Sequence, residues 1–169
     1  MTLLTPNSAG KLVLLIAGAL TLGLVAVTPA IAGDGDVPFA AELTGTAAFT
    51  SPTTVEFHGE GHATHLGRFV GGGLAILEPS TGSCPGGAAG IPNVHVETLS
   101  AADEDELVIR MVNVACPTGP YTFHGSGHWS VLAGTGRFEG ATGEGTNEGD
   151  ADFETGTFAL TLTGTLSYR

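Results

Sequence analysis

A segment that occurs twice constrains the fold of this chain more than any other feature. Residues 57–64 (FHGEGHAT) are repeated as residues 123–130 (FHGSGHWS), 66 positions later. Residues 68–71 (RFVG) are matched by residues 137–140 (RFEG) after three additional residues. Each copy alternates apolar or small residues with polar ones and ends in a glycine-containing turn, so it predicts a strand, a turn and a second strand. A repeated unit of this kind indicates a β-barrel or a β-sandwich.

The same alternation continues through most of the chain beyond residue 40, and no segment there has a sustained helical period. Glycine, proline and acidic clusters separate the alternating segments and supply the turns. Eight strands are predicted, at residues 41–50, 53–64, 68–77, 94–99, 106–114, 121–132, 142–151 and 153–168. We predict an all-β fold, an eight-stranded antiparallel up-and-down barrel, because closure removes exposed strand edges. A two-sheet sandwich is the alternative.

Period two also assigns the faces of the strands. In residues 53–64 the apolar or small residues share one face, and His58, Glu60 and His62 lie on the other. The apolar face is expected to form the barrel interior. The residues predicted to line it, and to bind any ligand held there, are Phe57, Phe123, Trp129, Phe158 and Leu160. A barrel filled completely by these side chains is the alternative.

The amino-terminal residues have the pattern of a secretory signal peptide. Lys11 precedes an apolar run at residues 12–27, and residues 30–32 (AIA) match a small-residue cleavage signal. We predict a cleaved signal peptide at residues 1–32, a single domain at residues 33–169, and a secreted, extracytoplasmic location. A single-pass membrane anchor is the alternative, which the helix-breaking Pro29 disfavours.

The charge of the chain excludes several partners. Five basic residues stand against 17 acidic ones, a net charge of −12, and Lys11 is the only lysine. Such a surface repels nucleic-acid backbones and anionic membranes. We therefore expect no nucleic-acid partner and, after removal of the signal peptide, no membrane partner.

Two cysteines, Cys84 and Cys116, each precede a proline. An exported chain meets oxidising conditions, in which cysteines pair. The sequence predicts a Cys84–Cys116 disulfide that has a structural role.

The histidines of the repeat raise the question of a metal site. His58 and His62 are four residues apart, about 13 Å along a strand, whereas zinc binds nitrogen ligands at about 2 Å. We therefore interpret His58, His62, His124 and His128 as an exposed polar ladder and expect no cofactor. A polar lumen lined by these histidines and a surface metal site are the alternatives.

The other polar residues are assigned structural positions. His95, next to Glu97 in a predicted strand, is interpreted as a surface residue. The acidic clusters at residues 103–106 and 148–152 are interpreted as solvated turns, with calcium binding as the alternative. No G-x-S-x-G motif or phosphate-binding lysine loop occurs, so no catalytic residue is assigned.

Residues 134–140 (GTGRFEG), preceded by residues 127–131 (GHWSV), resemble the turn and strand of the allene oxide cyclase and dirigent group. Residues 36–39 (DVPF) are similar to the opening segment of the cyclases, and residues 61–67 (GHATHLG) resemble uncharacterised exported bacterial proteins. The resemblance covers about a quarter of the chain. It implies an eight-stranded barrel with an apolar lumen, which in the group is often a trimer.

Three functions follow from these observations. The preferred one is a secreted, disulfide-stapled, non-catalytic barrel that binds a small apolar ligand in its lumen. The first alternative is a cyclase or isomerase acting inside the barrel, which requires an inward-facing carboxylate or histidine. Glu42 and Glu56 are expected to face outward and do not meet that requirement. The second alternative is a surface interaction module that uses the histidine-rich and acid-rich exterior.

Overall fold

The computed structural model describes residues 35–169, which form an antiparallel β-structure. The predicted signal peptide and its cleavage point lie outside the described residues. The strands are β1 (Val37–Ser51), β2 (Thr54–Ala63), β3 (Gly67–Leu77), β4 (Gly82–Ser83), β5 (Ala89–Ala101), β6 (Glu106–Pro117), β7 (Thr122–Gly134), β8 (Thr142–Asp152) and β9 (Thr157–Ser167). Two single-turn 3₁₀-helices, Pro85–Gly87 and Gly136–Phe138, lie in connections.

The eight long strands close into one up-and-down barrel, which confirms the predicted fold class. Neighbours along the chain are neighbours in the sheet, and β1 pairs with β9 at one closure. The β3–β5 pair completes the ring of long strands, with Leu74 opposite Val96. The short strand β4 pairs only with the beginning of β5 and lies outside this ring. Closure leaves the long strands without a free edge.

One end of the barrel, here called the closed end, is filled by large apolar side chains. It carries the β2–β3, β5–β6 and β7–β8 connections, and Phe138 from the β7–β8 connection is fully buried there. The Trp129 ring lies where side chains at Gly145 and Gly164 would otherwise stand, and its indole N–H donates to the Thr163 carbonyl at 3.1 Å. The packed residues are Phe39, Leu66, Phe69, Leu99, Leu107, Trp129, Phe138 and Leu166.

The other end, here called the open end, carries the β1–β2, β3–β5, β6–β7 and β8–β9 connections. A disulfide joins Cys84 in the β3–β5 connection to Cys116 near the end of β6, as predicted. Aromatic rings lie around this end, and the Phe153 ring contacts both Phe49 and Phe123 with centroids 4.7 and 5.8 Å apart. Phe49 is 52% exposed, so these rings form a rim that does not fill the end.

Three strands begin four or five residues away from their predicted starts, β1 at Val37 instead of residue 41, β5 at Ala89 instead of residue 94, and β9 at Thr157 instead of residue 153. The segment at residues 79–92, predicted as a turn, contains β4 and the first residues of β5. The predicted last strand at residues 153–168 begins only at Thr157, because Asp152 closes a turn by accepting the backbone N–H groups of Glu154 and Thr155. Within residues 35–169, no helix has the length and apolar character needed to cross a membrane.

Candidate functional site

A cavity of about 120 Å³ lies inside the open end of the barrel. Five of the eight phenylalanines in the chain line it, Phe49, Phe57, Phe123, Phe153 and Phe158. Ala75, Leu77 and Leu160 complete much of the apolar wall, and side chains at the opposite end of the barrel close its floor. An enclosed apolar space of this kind is the common form of a small-molecule site.

The residues predicted to line the lumen divide between the two ends. Phe57, Phe123, Phe158 and Leu160 border the cavity. Trp129 does not, because its ring is buried against Phe39 at the closed end, with centroids 5.2 Å apart. Period two placed Trp129 on the inner face correctly, but it carries no information about which end of the barrel is filled.

His95 was predicted to lie on the surface, and this prediction is wrong. The residue is only 5% exposed and lines the cavity, where its ring stacks on Phe57 with centroids 4.6 Å apart. Its Nε2 lies 2.7 Å from the Oε2 of Glu97, which is fully buried. A buried carboxylate is costly unless it is paired, and His95 is the partner that Glu97 has.

The glycine run Gly71-Gly72-Gly73 provides the space for Glu97. A Cβ at Gly71 would stand 2.7 Å from the Glu97 Oε1, and a Cβ at Gly73 would stand 2.3 Å from the Oε2. The carboxylate therefore occupies the volume that side chains on β3 would otherwise take. His95 is the member of the pair that faces the cavity, and Glu97 lies behind it.

Three asparagines form a row across the same wall. Asn93 on β5 is paired directly with Asn113 on β6, and Asn113 is paired through Gly127 with Asn147 on β8. Because Gly127 has no side chain, the Asn147 amide reaches over it and donates to Asn113 Oδ1 at 2.8 Å. All three asparagines line the cavity beside His95.

Two polar atoms of this wall have no hydrogen-bond partner. They are the Glu97 Oε1 and the Asn147 Oδ1, both buried in the described structure. Most buried polar atoms in proteins have a partner, so each exception indicates strain, a bound molecule or a functional role. The polar wall of the cavity can thus form more hydrogen bonds than its members form with one another.

The histidine ladder faces the exterior. His58 contacts Glu56 on its own strand at 3.1 Å, and His124 contacts Asp150 on the neighbouring strand at 2.9 Å. Strands β2 and β7 are separated by three strands in either direction around the barrel, so the two copies of the repeat stand on opposite walls. The four histidines do not line the lumen, and the two copies do not converge.

Within residues 35–169, no three His, Cys, Asp or Glu side chains are grouped in a way that could hold a metal ion. The acidic cluster at residues 103–106 pairs instead with an arginine, since Asp103 and Asp105 both contact Arg137. The pKa of Asp152 in the second cluster is lowered, chiefly because the carboxylate accepts the backbone N–H groups of Glu154 and Thr155.

Sequence reasoning missed His95, Glu97 and the asparagine row because β5 and β6 carry apolar residues on both faces, so the alternation does not show which face points inward. On β5 the outward residues are Val94 and Val96, while the inward ones include His95, Glu97 and Leu99. Hydrophobicity alone favours the reverse orientation. The available signal was the opposing run Gly71-Gly72-Gly73, which leaves room for a long polar side chain from a paired strand.

We compared the chain with known proteins at three levels. No family model, no curated protein and no solved structure matches it.

Proposed function

We propose that this protein is a secreted, non-catalytic binding barrel that holds a small, largely apolar molecule in the cavity at its open end. The observation that carries the proposal is the cavity itself, lined by phenylalanines on one side and by His95 and three asparagines on the other. Ligand sites in proteins typically combine an apolar lining with a few polar groups that orient the ligand.

The division of the interior supports this function. A barrel that served only as a rigid structural unit would gain stability from filling both ends, since each buried methylene contributes about 0.8 kcal/mol. This barrel is packed at the closed end, yet it leaves about 120 Å³ empty beside buried polar groups. An engineered cavity of about 150 Å³ in another protein is large enough to bind benzene.

The secreted location rests on the predicted signal peptide and is supported by the disulfide. Cys84 and Cys116 are joined, and no free cysteine remains among the described residues. Stable disulfides are common outside the cytoplasm and rare within it. Mass spectrometry of the secreted protein tests this directly, because the proposal requires a chain that begins at Gly33.

A titration with toluene, monitored by NMR, tests binding in the cavity. Two leucine variants at neighbouring positions on β7 serve as the test variant and its control. A Cβ at Gly125 would meet only the Gly149 carbonyl, at 3.9 Å, so Gly125→Leu is expected to fill the cavity without backbone strain. The control is Ser126→Leu, because Ser126 is exposed on the outer face. We expect saturable binding to the wild type and to the control, and at least tenfold weaker binding to Gly125→Leu. Equal toluene affinity in all three proteins, or none in the wild type, would contradict the proposal.

A second function, an enzyme that catalyses proton transfer, is favoured by the His95–Glu97 pair. A carboxylate that orients a histidine towards a substrate is a recurring arrangement in general base catalysis. Here the Glu97 carboxylate holds Nε2 at 2.7 Å, which leaves Nδ1 as the ring nitrogen available to a molecule in the cavity. The chemistry that fits is proton abstraction from an apolar carbonyl compound, as in an isomerisation or a cyclisation.

Hydrogen–deuterium exchange at the α-carbon of cyclopentanone, a small ketone, tests this second function. In deuterated buffer an enzyme of this class is expected to exchange the α-protons faster than the buffer does. The His95→Leu variant is expected to exchange them at the buffer rate. Equal exchange rates for the wild type and the His95→Leu variant would show that the His95–Glu97 pair has only a structural role.

We also propose that the barrel self-associates, as a trimer, through an apolar patch on its exterior. Five side chains on β3, β5 and β6 that are 37–60% exposed form it, Val70, Leu74, Ile76, Val96 and Val112. Leu74 is paired with Val96, so the patch continues from strand to strand. Contiguous exposed patches of this kind commonly mark protein interfaces. Native mass spectrometry reports the subunit count, and a Leu74→Glu variant is expected to be monomeric; a wild type that is already monomeric would contradict this proposal.

A further inference from the structure

We infer that the ligand carries an uncharged hydroxyl group, which binds at the asparagine row formed by Asn93, Asn113 and Asn147. This inference rests on the proposed binding function and names the class of molecule, a small apolar or aromatic alcohol or phenol. The juxtaposition that carries it is a row of amides on one wall of a cavity whose other lining residues are mainly apolar, apart from His95 and Asp150.

The hydrogen bonds within the row leave capacity for one more partner. Asn147 donates to Asn113 at 2.8 Å, and this bond uses one donor and one acceptor of the pair. Whichever way the two amides are turned, at least one donor and one acceptor remain. A hydroxyl group both donates and accepts, so one hydroxyl can satisfy both.

Because Asn147 is buried, its free hydrogen-bond acceptor lowers the stability of the protein unless a partner binds to it. Asn147 is 5% exposed, and its Oδ1 has no partner in the described structure. A buried acceptor without a hydrogen bond has lost its hydration without gaining a partner, which destabilises the folded protein. A small rotation of the amide towards the cavity that it lines would let a bound donor recover this free energy.

The charges near the wall select a neutral group over an anionic one. No lysine or arginine is among the residues that line the cavity. The Glu97 carboxylate lies directly behind His95, and the whole chain carries a net charge of −12. A carboxylate ligand would therefore enter a low-dielectric space without a cation of its own, at a high desolvation cost.

The apolar part of the ligand is limited by the phenylalanine walls. Phe57 stacks on His95, and Phe158 meets the Phe57 ring edge-on with centroids 5.0 Å apart. These rings surround a space of about 120 Å³, suited to a single six-membered ring or a short branched chain. The ligand class is thus one ring-sized apolar body with one hydroxyl group.

Calorimetric titration with toluene and three of its para-substituted derivatives, 4-fluorotoluene, p-cresol and 4-methylbenzoate, tests the inference. The first three have nearly the same shape, but only p-cresol can donate a hydrogen bond. We expect p-cresol to bind about tenfold more tightly than toluene and 4-fluorotoluene, because it alone can donate a hydrogen bond to the unpartnered Asn147 Oδ1. We expect 4-methylbenzoate to bind more weakly than any of the others.

The Asn147→Leu variant tests whether the asparagine row causes the preference for p-cresol over toluene. Leucine has nearly the shape of asparagine, so the variant is expected to fold; it removes the unpartnered Oδ1 of Asn147 together with the amide group that donates to Asn113. Its affinities for toluene and p-cresol should become equal. The control is Thr146→Leu, which changes an exposed residue next to Asn147 on the outer face of β8 and should retain the preference.

The outcomes separate the inference from the function on which it rests. If none of the four probes binds, the cavity proposal fails, and the inference fails with it. If toluene and p-cresol bind equally to the wild type, or 4-methylbenzoate binds best, only the inference fails. If the preference for p-cresol persists in Asn147→Leu, the assignment to the row is wrong. The wild-type series alone decides the hydroxyl preference should a variant fail to fold.

Discussion

The same strands form both ends of this barrel, but their side chains fill one end and leave the other open. At the closed end Phe138 and Leu107 are fully buried and Trp129 is 2% exposed, whereas at the open end Phe49 is 52% exposed. The copies of the repeat pass through both ends, so the difference does not come from the repeat. It comes from what the connections contribute, since the β7–β8 connection inserts Phe138 and the β8–β9 connection leaves Phe153 at the rim.

The comparison teaches that the packed core and the proposed binding site lie at opposite ends. Closely packed interiors tolerate little change, while an unfilled end can accept a ligand without repacking the core. The disulfide lies at the open end, where apolar packing is thinnest, and it restrains the connection that β4 and Pro85–Gly87 occupy. A covalent bond there supplies stability that the open end does not obtain from packing.

The largest expected effect contrasts two aromatic residues on one strand. Trp129→Ala removes a buried ring that lies across two glycines at the closed end. It should lower the free energy of unfolding by about 3–5 kcal/mol, the range for large core truncations. Phe123→Ala, at the cavity, should cost only about 1 kcal/mol because the ring is only partly buried. Urea denaturation measures both, and similar losses at the two positions would remove the distinction between the ends.

The second prediction removes the covalent restraint from the open end. The double variant Cys84→Ser and Cys116→Ser opens a loop with a sequence separation of 32, and should lose about 3–4 kcal/mol of stability. Hydrogen exchange should speed up in β4 and in the first residues of β5, while amides around Trp129 keep their relative protection. Uniform loss of protection at both ends would mean that the disulfide restrains the whole barrel equally.

The smallest effect compares a buried histidine–carboxylate contact with an exposed one. Glu97→Gln keeps the shape but exchanges the charged partner of His95 for a neutral one, and should cost about 1–3 kcal/mol. Asp150→Asn makes the same exchange for His124 on the exterior, where the Asp150 side chain is 76% exposed. It should change stability by less than about 0.5 kcal/mol. Equal losses in thermal denaturation would show that burial does not distinguish the two pairs.

The predicted fold was right because most strands keep one face polar. In β2, residues such as His58 and Glu60 alternate with Val55 and Ala63, so the solvent face and the core face are distinct. The same holds for β7, where His128 is exposed and Trp129 is buried. The outward histidine ladder followed from this alternation, and the disulfide followed from the predicted export of a chain with two cysteines.

The polar wall of the cavity could not be predicted in the same way. On β3, β5 and β6 both faces carry apolar residues, with Leu74, Val96 and Val112 exposed and Ala75, Leu99 and Met111 buried. Alternation between two apolar faces does not say which one is inside. Which face of these strands points into the barrel therefore depends on the strands with which they pair.

The amino-acid sequence by itself determined the eight long strands, their antiparallel order and the orientation of the histidine ladder, because each follows from local period two and local turn chemistry. Only the tertiary structure decided that His95 and Glu97 face inward, that the three asparagines form one row, and that one end is filled. These properties depend on register between strands far apart in the chain. Glycines at Gly71, Gly73 and Gly127 leave the space on one strand that a polar side chain from another occupies.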